Sequence, residues 1–225
     1  MSVEVPAIAV RRNSRNWRNW RIRAVGVLLA LGFFSLPVGS WVHDEAGLVN
    51  RLEYELIVWA WVVGMMLYVV RVERRPLSSI GFRALGLKDG ILAIVAGILI
   101  LASLAFMLLV VFPALHWSES SQIASISRLP YWLNVLIVVR AAVSEEILFR
   151  GYPIERLEEL TGSRAVAGVV TCAVFTLDHI SFWGWHHMFI AGLAGAALTI
   201  LYLWRRNIWV NMIAHFIVDA SAFLA

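Results

Sequence analysis

A bundle of about seven membrane-spanning α-helices is the architecture this chain encodes, and three observations point to it. Of its 225 residues, 60% are hydrophobic and only 15% charged, against ~45–50% and ~25% in soluble domains. The mean hydropathy is +0.77. Several apolar runs are continuous rather than alternating, and they approach the ~20 residues that carry a helix across ~30 Å of hydrocarbon. Helices follow rather than strands, because lipid requires every backbone polar group to be satisfied within the segment. A soluble domain, a disordered chain and a collagen-like repeat are excluded on the same grounds. The single cysteine, Cys172, permits neither an internal disulfide nor a cysteine-based metal cluster.

Residues 1–23 form a basic tail bearing Arg11, Arg12, Arg15, Arg18, Arg21 and Arg23. Its long charged stretch and the lack of an A-x-A-like site argue for an uncleaved first span rather than a signal peptide. The spans are predicted at roughly 24–42, 52–70, 90–112, 131–160, 165–180, 187–204 and 208–225. Arg71, Arg74, Arg75, Arg83 and Lys88 follow the second run, and Arg205 and Arg206 follow the sixth. Cations resist translocation, so the tail and the loops after the second, fourth and sixth helices belong on the cytoplasmic side. The segment His43–Glu55, richer in acid than base, then lies outside. Because the cations sit between apolar runs, the net charge of +4 and pI near 9.7 speak for this topology and not for nucleic acid. Residues 24–225 form one transmembrane domain, with no internal repeat and no linker.

An ionisable side chain at membrane depth costs ~2.5–3.5 kcal/mol or more, so each one needs a reason. The densest group lies in AAVSEEILFRG, residues 141–151, with Arg140 just before it. Glu146 and Arg150 are four apart, share a helix face and stand in the favourable order for an ion pair. Glu145 points about 100° away from Glu146, free to face a cavity. FTLDH places His179 near the end of the fifth helix, and NMIAHFIVD sets Asn211, His215 and Asp219 on one stripe of the seventh. A carboxylate, two imidazoles and an Asp/Asn pair suffice for hydrolysis, supplying a base for water and donors for an oxyanion. Ser144 does not share the Glu145 face and Cys172 lies in an apolar stretch, so water is the attacking group. A structural ion network among the charges, or helix-to-helix hydrogen bonding along the stripe, is the plainer reading of each group taken alone. His43, His116, His186 and His187 fall in loops or at helix ends and receive no catalytic role.

Depth tests the convergence. If the fourth helix stopped at Phe149, Glu145 would lie ~6 Å from the cytoplasmic end and His179 ~21 Å in, so the two could not meet. A helix running on through GYPIERLEEL to about Leu160, bent at Pro153, puts Glu145 ~22 Å deep. His215 and Asp219 come out at ~10–17 Å. On the sixth helix, Gly192 with Ala196 and Ala191 with Gly195 are small residues four apart, which let a neighbouring helix approach closely.

From about Trp132 onward these residues resemble the CAAX-processing and bacteriocin-immunity (CPBP, Abi, type II CAAX prenyl endopeptidase-like) intramembrane proteases. SEEILFR is similar to that family's EExxxR motif, FTLDH to FxxxH, HFIVD to HxxxN/D and FIAGLAG to its glycine-bearing motif. The resemblance implies an endopeptidase with its catalytic core at about 131–225. Glu145 would activate water with His179, His215 and Asp219 would stabilise the oxyanion, and Glu146 and Arg150 would support the site. Where many relatives carry asparagine this chain has Asp219. An ionised aspartate cannot donate to an oxyanion, so Asp219 is protonated, or it orients His215, or Asn211 supplies the donor. No cofactor is expected. Zinc is the alternative, held by Glu145, His179 and His215, although no HExxH is present. The implied partners are the bilayer and a membrane protein or lipidated peptide, in a prokaryotic cell membrane. A non-catalytic immunity or scaffold protein of the same fold is the competing function. A small proton-coupled transporter is the third, disfavoured by the missing inverted repeat.

Overall fold

The computed structural model describes residues 7–33, 48–118, 126 and 128–224, with side chains from residue 19 in the first stretch and 51 in the second. Every regular element among them is helical. They are α1 (Ala7–Gly32), α2 (Leu48–Leu67), α3 (Leu87–Phe106), α4 (Tyr131–Glu145), α5 (Tyr152–Thr161), α6 (Arg164–Asp178), α7 (Ile180–Trp183), α8 (His187–Arg205) and α9 (Ile208–Phe223). π-helical turns extend α2 through Val72, carry α3 on from Met107 to Val111, and join α4 to α5 over Glu146–Gly151. Among the described residues, four helices are long and apolar enough to cross a membrane: Arg51–Val72, Leu87–Ala114, Arg164–Trp183 and His187–Arg205. Their outer faces are apolar; Ile91, Ile94, Ile98 and Leu109 on the second of these are exposed, as lipid contact requires.

The helix that carries the start of the first predicted span begins well before it. The helix starts at Ala7 and ends at Gly32, taking the basic segment into its first turns; arginine is a good helix former and nothing breaks the chain there. Residues 34–42 of the predicted span lie outside the described residues, as do 43–47 of the predicted outer loop. The rest of that loop is helical, since α2 already runs from Leu48.

The fourth predicted span is continuous to Thr161, as the depth argument requires, but the bend expected at Pro153 takes another form. Proline has no N–H and its ring crowds the carbonyl four residues back, here that of Phe149. The helix widens at that point into a π turn, in which the Tyr152 N–H donates to the Ile147 carbonyl five residues back. The extra residue alters the helical phase just where the charges lie. Residues Glu146–Ile154 are all buried, packed among α1, α6, α8 and α9. This segment is the axis of the bundle.

Around it, α9 packs on α3 and α4, and α8 on α6. The α6–α8 contact runs through the small-residue stripe: a Cβ on Gly195 would stand 2.8 Å from Phe175 Cδ1, and one on Gly192 3.4 Å from Thr176 Cγ2. The boundaries are local chemistry. The Ser163 hydroxyl accepts the Val166 N–H to cap α6, the Asn207 side chain accepts the Trp209 N–H to cap α9, and Gly162 closes α5 in the left-handed region. At one end of the bundle, ion pairs tie Arg23 of α1 and Arg75 after α2 to Glu159 of α5, Arg206 after α8 to Glu155 and Glu158, and Arg205 to Asp89 at the start of α3. The basic segments predicted to share one membrane side therefore meet at one end. Outside the spans, burial alone would lower the Arg206 guanidinium pKa, but the Glu158 hydrogen bond and the Glu155 charge raise it.

Candidate active site

The α4–α5 junction places Glu145 on the last turn of α4 and Glu146 at the first position of the π turn. Their surroundings differ sharply. Glu146 is fully buried and both its oxygens are occupied. Oε1 accepts from Arg150 Nη1 at 2.9 Å and from His215 Nδ1 at 2.8 Å, while Oε2 accepts from Asn211 Nδ2 at 3.0 Å. The predicted Glu146–Arg150 pair is present, yet it is one edge of a larger knot that pins α9 to the bundle axis.

Arg150 is caged in turn. Phe175 of α6 lies over its guanidinium, 4.0 Å from ring centroid to Cζ, and the Gly195 carbonyl accepts from Nη2 at 3.5 Å. Gly195 is thus needed twice, to let Phe175 in and to bring a carbonyl to the cation. Sequence reasoning assigned Phe175 no task, although it opens the FxxxH pattern.

Glu145 keeps 14% of its side chain exposed, and its ion-pair contacts are long: 3.9 Å to Arg140 Nη1 and 3.9 Å to His215 Nε2. Asp219 Oδ2 lies 3.5 Å from the same His215 Nε2. The predicted stripe on α9 therefore faces inward with a division of labour, Asn211 and His215 Nδ1 serving Glu146, His215 Nε2 and Asp219 facing Glu145. His179 sits where α6 passes into α7, within Coulombic reach of Glu145, Arg150 and His215. Its Nδ1 lies 2.7 Å from the Phe175 carbonyl. A carbonyl only accepts, so Nδ1 carries the proton and Nε2 presents a lone pair. His187, given no role above, stacks on Trp183 with centroids 4.9 Å apart and lies 6.4 Å from the His179 ring. It flanks the site and touches no acid of the cluster.

One expectation changes. Asn211 does not supply a free donor for an oxyanion, because its amide already donates to Glu146 and, at 2.7 Å, to the Leu198 carbonyl. One turn before His215, it looks at the buried carboxylate and not at the open one. As to the alternative zinc set of Glu145, His179 and His215, no group of three or more His, Cys, Asp or Glu side chains that could hold a metal ion is found among the described residues. Ser144 is fully buried and its hydroxyl has no hydrogen-bond partner among the described residues. One participant escaped sequence reasoning altogether. Glu55 of α2, 2% exposed, accepts from Arg140 Nε at 3.0 Å. The signal was available, as an acid inside an apolar run, but was read as the rim of the outer loop.

Residues 127–221 match the family model described as Type II CAAX prenyl endopeptidase Rce1-like. Over this segment, which holds every motif quoted above, the chain is similar to the type II CAAX prenyl endopeptidases. No curated protein and no solved structure matches the chain.

Proposed function

We propose that the chain is an intramembrane endopeptidase that hydrolyses a peptide bond by direct attack of water. Glu145 takes the proton from that water, and the His179 Nε2 lone pair orients it. Attack on the scissile carbonyl forms a tetrahedral oxyanion, which the His215 Nε2 side of the cluster faces. His215 Nδ1 is engaged by Glu146, so a second proton on Nε2 makes it the oxyanion donor, with Asp219 sharing that proton between turnovers. Glu145 then passes its proton to the leaving amine, the bond from carbonyl carbon to nitrogen breaks, and the carboxylate is restored.

The observation that carries this reading is the contrast between adjacent acids: Glu146 is saturated and sealed, whereas Glu145 is partly open with only long contacts. A base must offer a lone pair to its water, and of these two acids Glu145 is the exposed one. The family description points to a prenylated, membrane-associated substrate. The substrate class is a membrane protein or lipidated peptide. About seven spans with a cytoplasmic N-terminus, in a prokaryotic cell membrane, complete the proposal. Catalysis without metal fits the donor arrangement.

The test is cleavage of a quenched farnesylated CaaX peptide and of bacterial membrane substrates by reconstituted protein, with and without 1,10-phenanthroline. Cleavage lost in Glu145→Gln, His179→Ala and His215→Ala and untouched by chelator is the expected result. Normal processing by all three variants would refute the enzyme; loss on chelation with recovery on zinc would refute the metal-free mechanism.

A further inference from the structure

We propose that Glu55 and Arg140 are positioning residues for Glu145, forming a relay that reaches the site from a helix outside the matched family segment. The inference rests on the proposed role of Glu145 and adds a part that 127–221 does not contain.

Arg140 lies on α4, 6% exposed, between two carboxylates. Its Nε donates to Glu55 Oε2 at 3.0 Å, and its Nη1 stands 3.9 Å from Glu145 Oε1. The guanidinium is a rigid plane, so anchoring Nε on α2 fixes where Nη1 points. The separation of 3.9 Å is beyond hydrogen-bond length. Arg140 thus gives Glu145 a neighbouring cation without occupying the lone pairs that a base must offer to water. Tyr54 lies under the same guanidinium at 5.7 Å and limits its swing. Arg51, on the rim with 24% of its side chain exposed, stands 3.6 Å from the other Glu55 oxygen. The groups facing Glu145 are therefore Arg140, Tyr54, His179, His215 and Asp219. Among the described residues Arg140 is the guanidinium that faces Glu145, Arg150 being held by Glu146.

The competing account is a staple: a buried ion pair that merely fastens α2 to α4. A charge swap separates the two. Glu55→Arg with Arg140→Glu keeps a pair across the helices but leaves an acid beside Glu145. If the relay acts as proposed, the swap restores folded yield and melting temperature to near wild type while cleavage of the farnesylated peptide stays down by about a hundredfold in kcat, with KM little changed. Recovery of both would make the pair a staple and overturn the proposal.

A second readout needs no substrate. Dicyclohexylcarbodiimide labels protonated carboxyl groups in apolar sites, and peptide mass mapping locates the adduct. Arg140→Gln and the swap both remove the cation beside Glu145, so labelling there should rise severalfold over wild type. Glu55→Gln keeps Arg140 charged and keeps an acceptor for Nε, so labelling at Glu145 should remain at the wild-type level. Unchanged labelling in Arg140→Gln or in the swap overturns the relay. A wild-type protein that cleaves nothing yet shows this labelling pattern would count against the protease reading alone and leave the relay standing.

Discussion

Two charge clusters sit in this bundle, one at its centre and one at the end where the basic segments gather, and they are built to opposite rules. At the end, Arg156 is fully buried and all its donors are used. Nε and Nη2 donate to Glu73 at 2.6–3.0 Å, and Nη1 and Nη2 reach the Ser79 carbonyl and hydroxyl at 3.2 and 3.0 Å. Tyr152 adds a hydrogen bond to Glu73 Oε1 at 2.8 Å. At the centre, Glu146 is saturated in the same manner, but its chain neighbour Glu145 is not. Saturation marks a cluster that holds helices together, because each buried charge then recovers in short bonds what it lost in hydration. An acid left with long contacts and an opening recovers less, and that is the condition the proposed base requires. The lesson is local: two adjacent residues on one helix fall on opposite sides of that division.

The comparison can be broken most directly at Glu145. Glu145→Gln should remove cleavage by about 10²–10⁴-fold, the contribution of a positioned general base, with melting temperature unchanged; a variant that keeps half its activity would erase the distinction. At the saturated neighbour the effect should fall on folding instead. Arg150→Ala leaves Glu146 buried without its cation, an expected loss of about 3–5 kcal/mol, seen as reduced folded yield in detergent; wild-type yield and thermal stability would count against it. The end cluster should respond in kind but less strongly. Glu73→Gln keeps an acceptor for Arg156 while removing the charge, so about 1–3 kcal/mol is expected, and turnover per folded molecule should hold constant. Gly195→Ala probes the hinge between both behaviours, since a Cβ must displace Phe175 from the face of Arg150; overpacking of this sort costs about 1–3 kcal/mol, measured as a fall in melting temperature. The smallest effect is expected from Asp219→Asn. An amide can donate where the carboxyl shares a proton, so kcat should change by less than about tenfold, under ~1.4 kcal/mol in barrier. A loss as large as that of Glu145→Gln would require Asp219 to act as an acid in its own right.

Several of these features were legible before any coordinates. The Glu146–Arg150 pair followed from spacing, the inward stripe of α9 from its i, i+4, i+8 period, and the continuation of the fourth helix past Pro153 from the need for Glu145 and His179 to lie at one depth. Other features were not. Spacing gives the face of a residue on its own helix and says nothing of what occupies the opposite face. Asn211 therefore looked like a spare donor until the Leu198 carbonyl and Glu146 were found to consume both of its N–H groups. Glu55 looked like a loop acid until Arg140 was found against it. The start of α1 was misplaced for a different reason: hydropathy marks where a helix enters lipid, whereas helix propensity, high in the arginine-rich tail, decides where it begins.

What the chain determined by itself is the class of object: helices long and apolar enough for a membrane, a few ionisable groups too costly there to lack a purpose, and the intrahelical pairing of those groups. These follow from composition and from a period of 3.6 residues, both properties of one segment at a time. Only the tertiary structure decided which of two adjacent glutamates is sealed and which is open. That choice depends on what α2, α6, α8 and α9 bring to the π turn, and the free energy of a buried charge is set by its nearest partners in space, which no single helix contains.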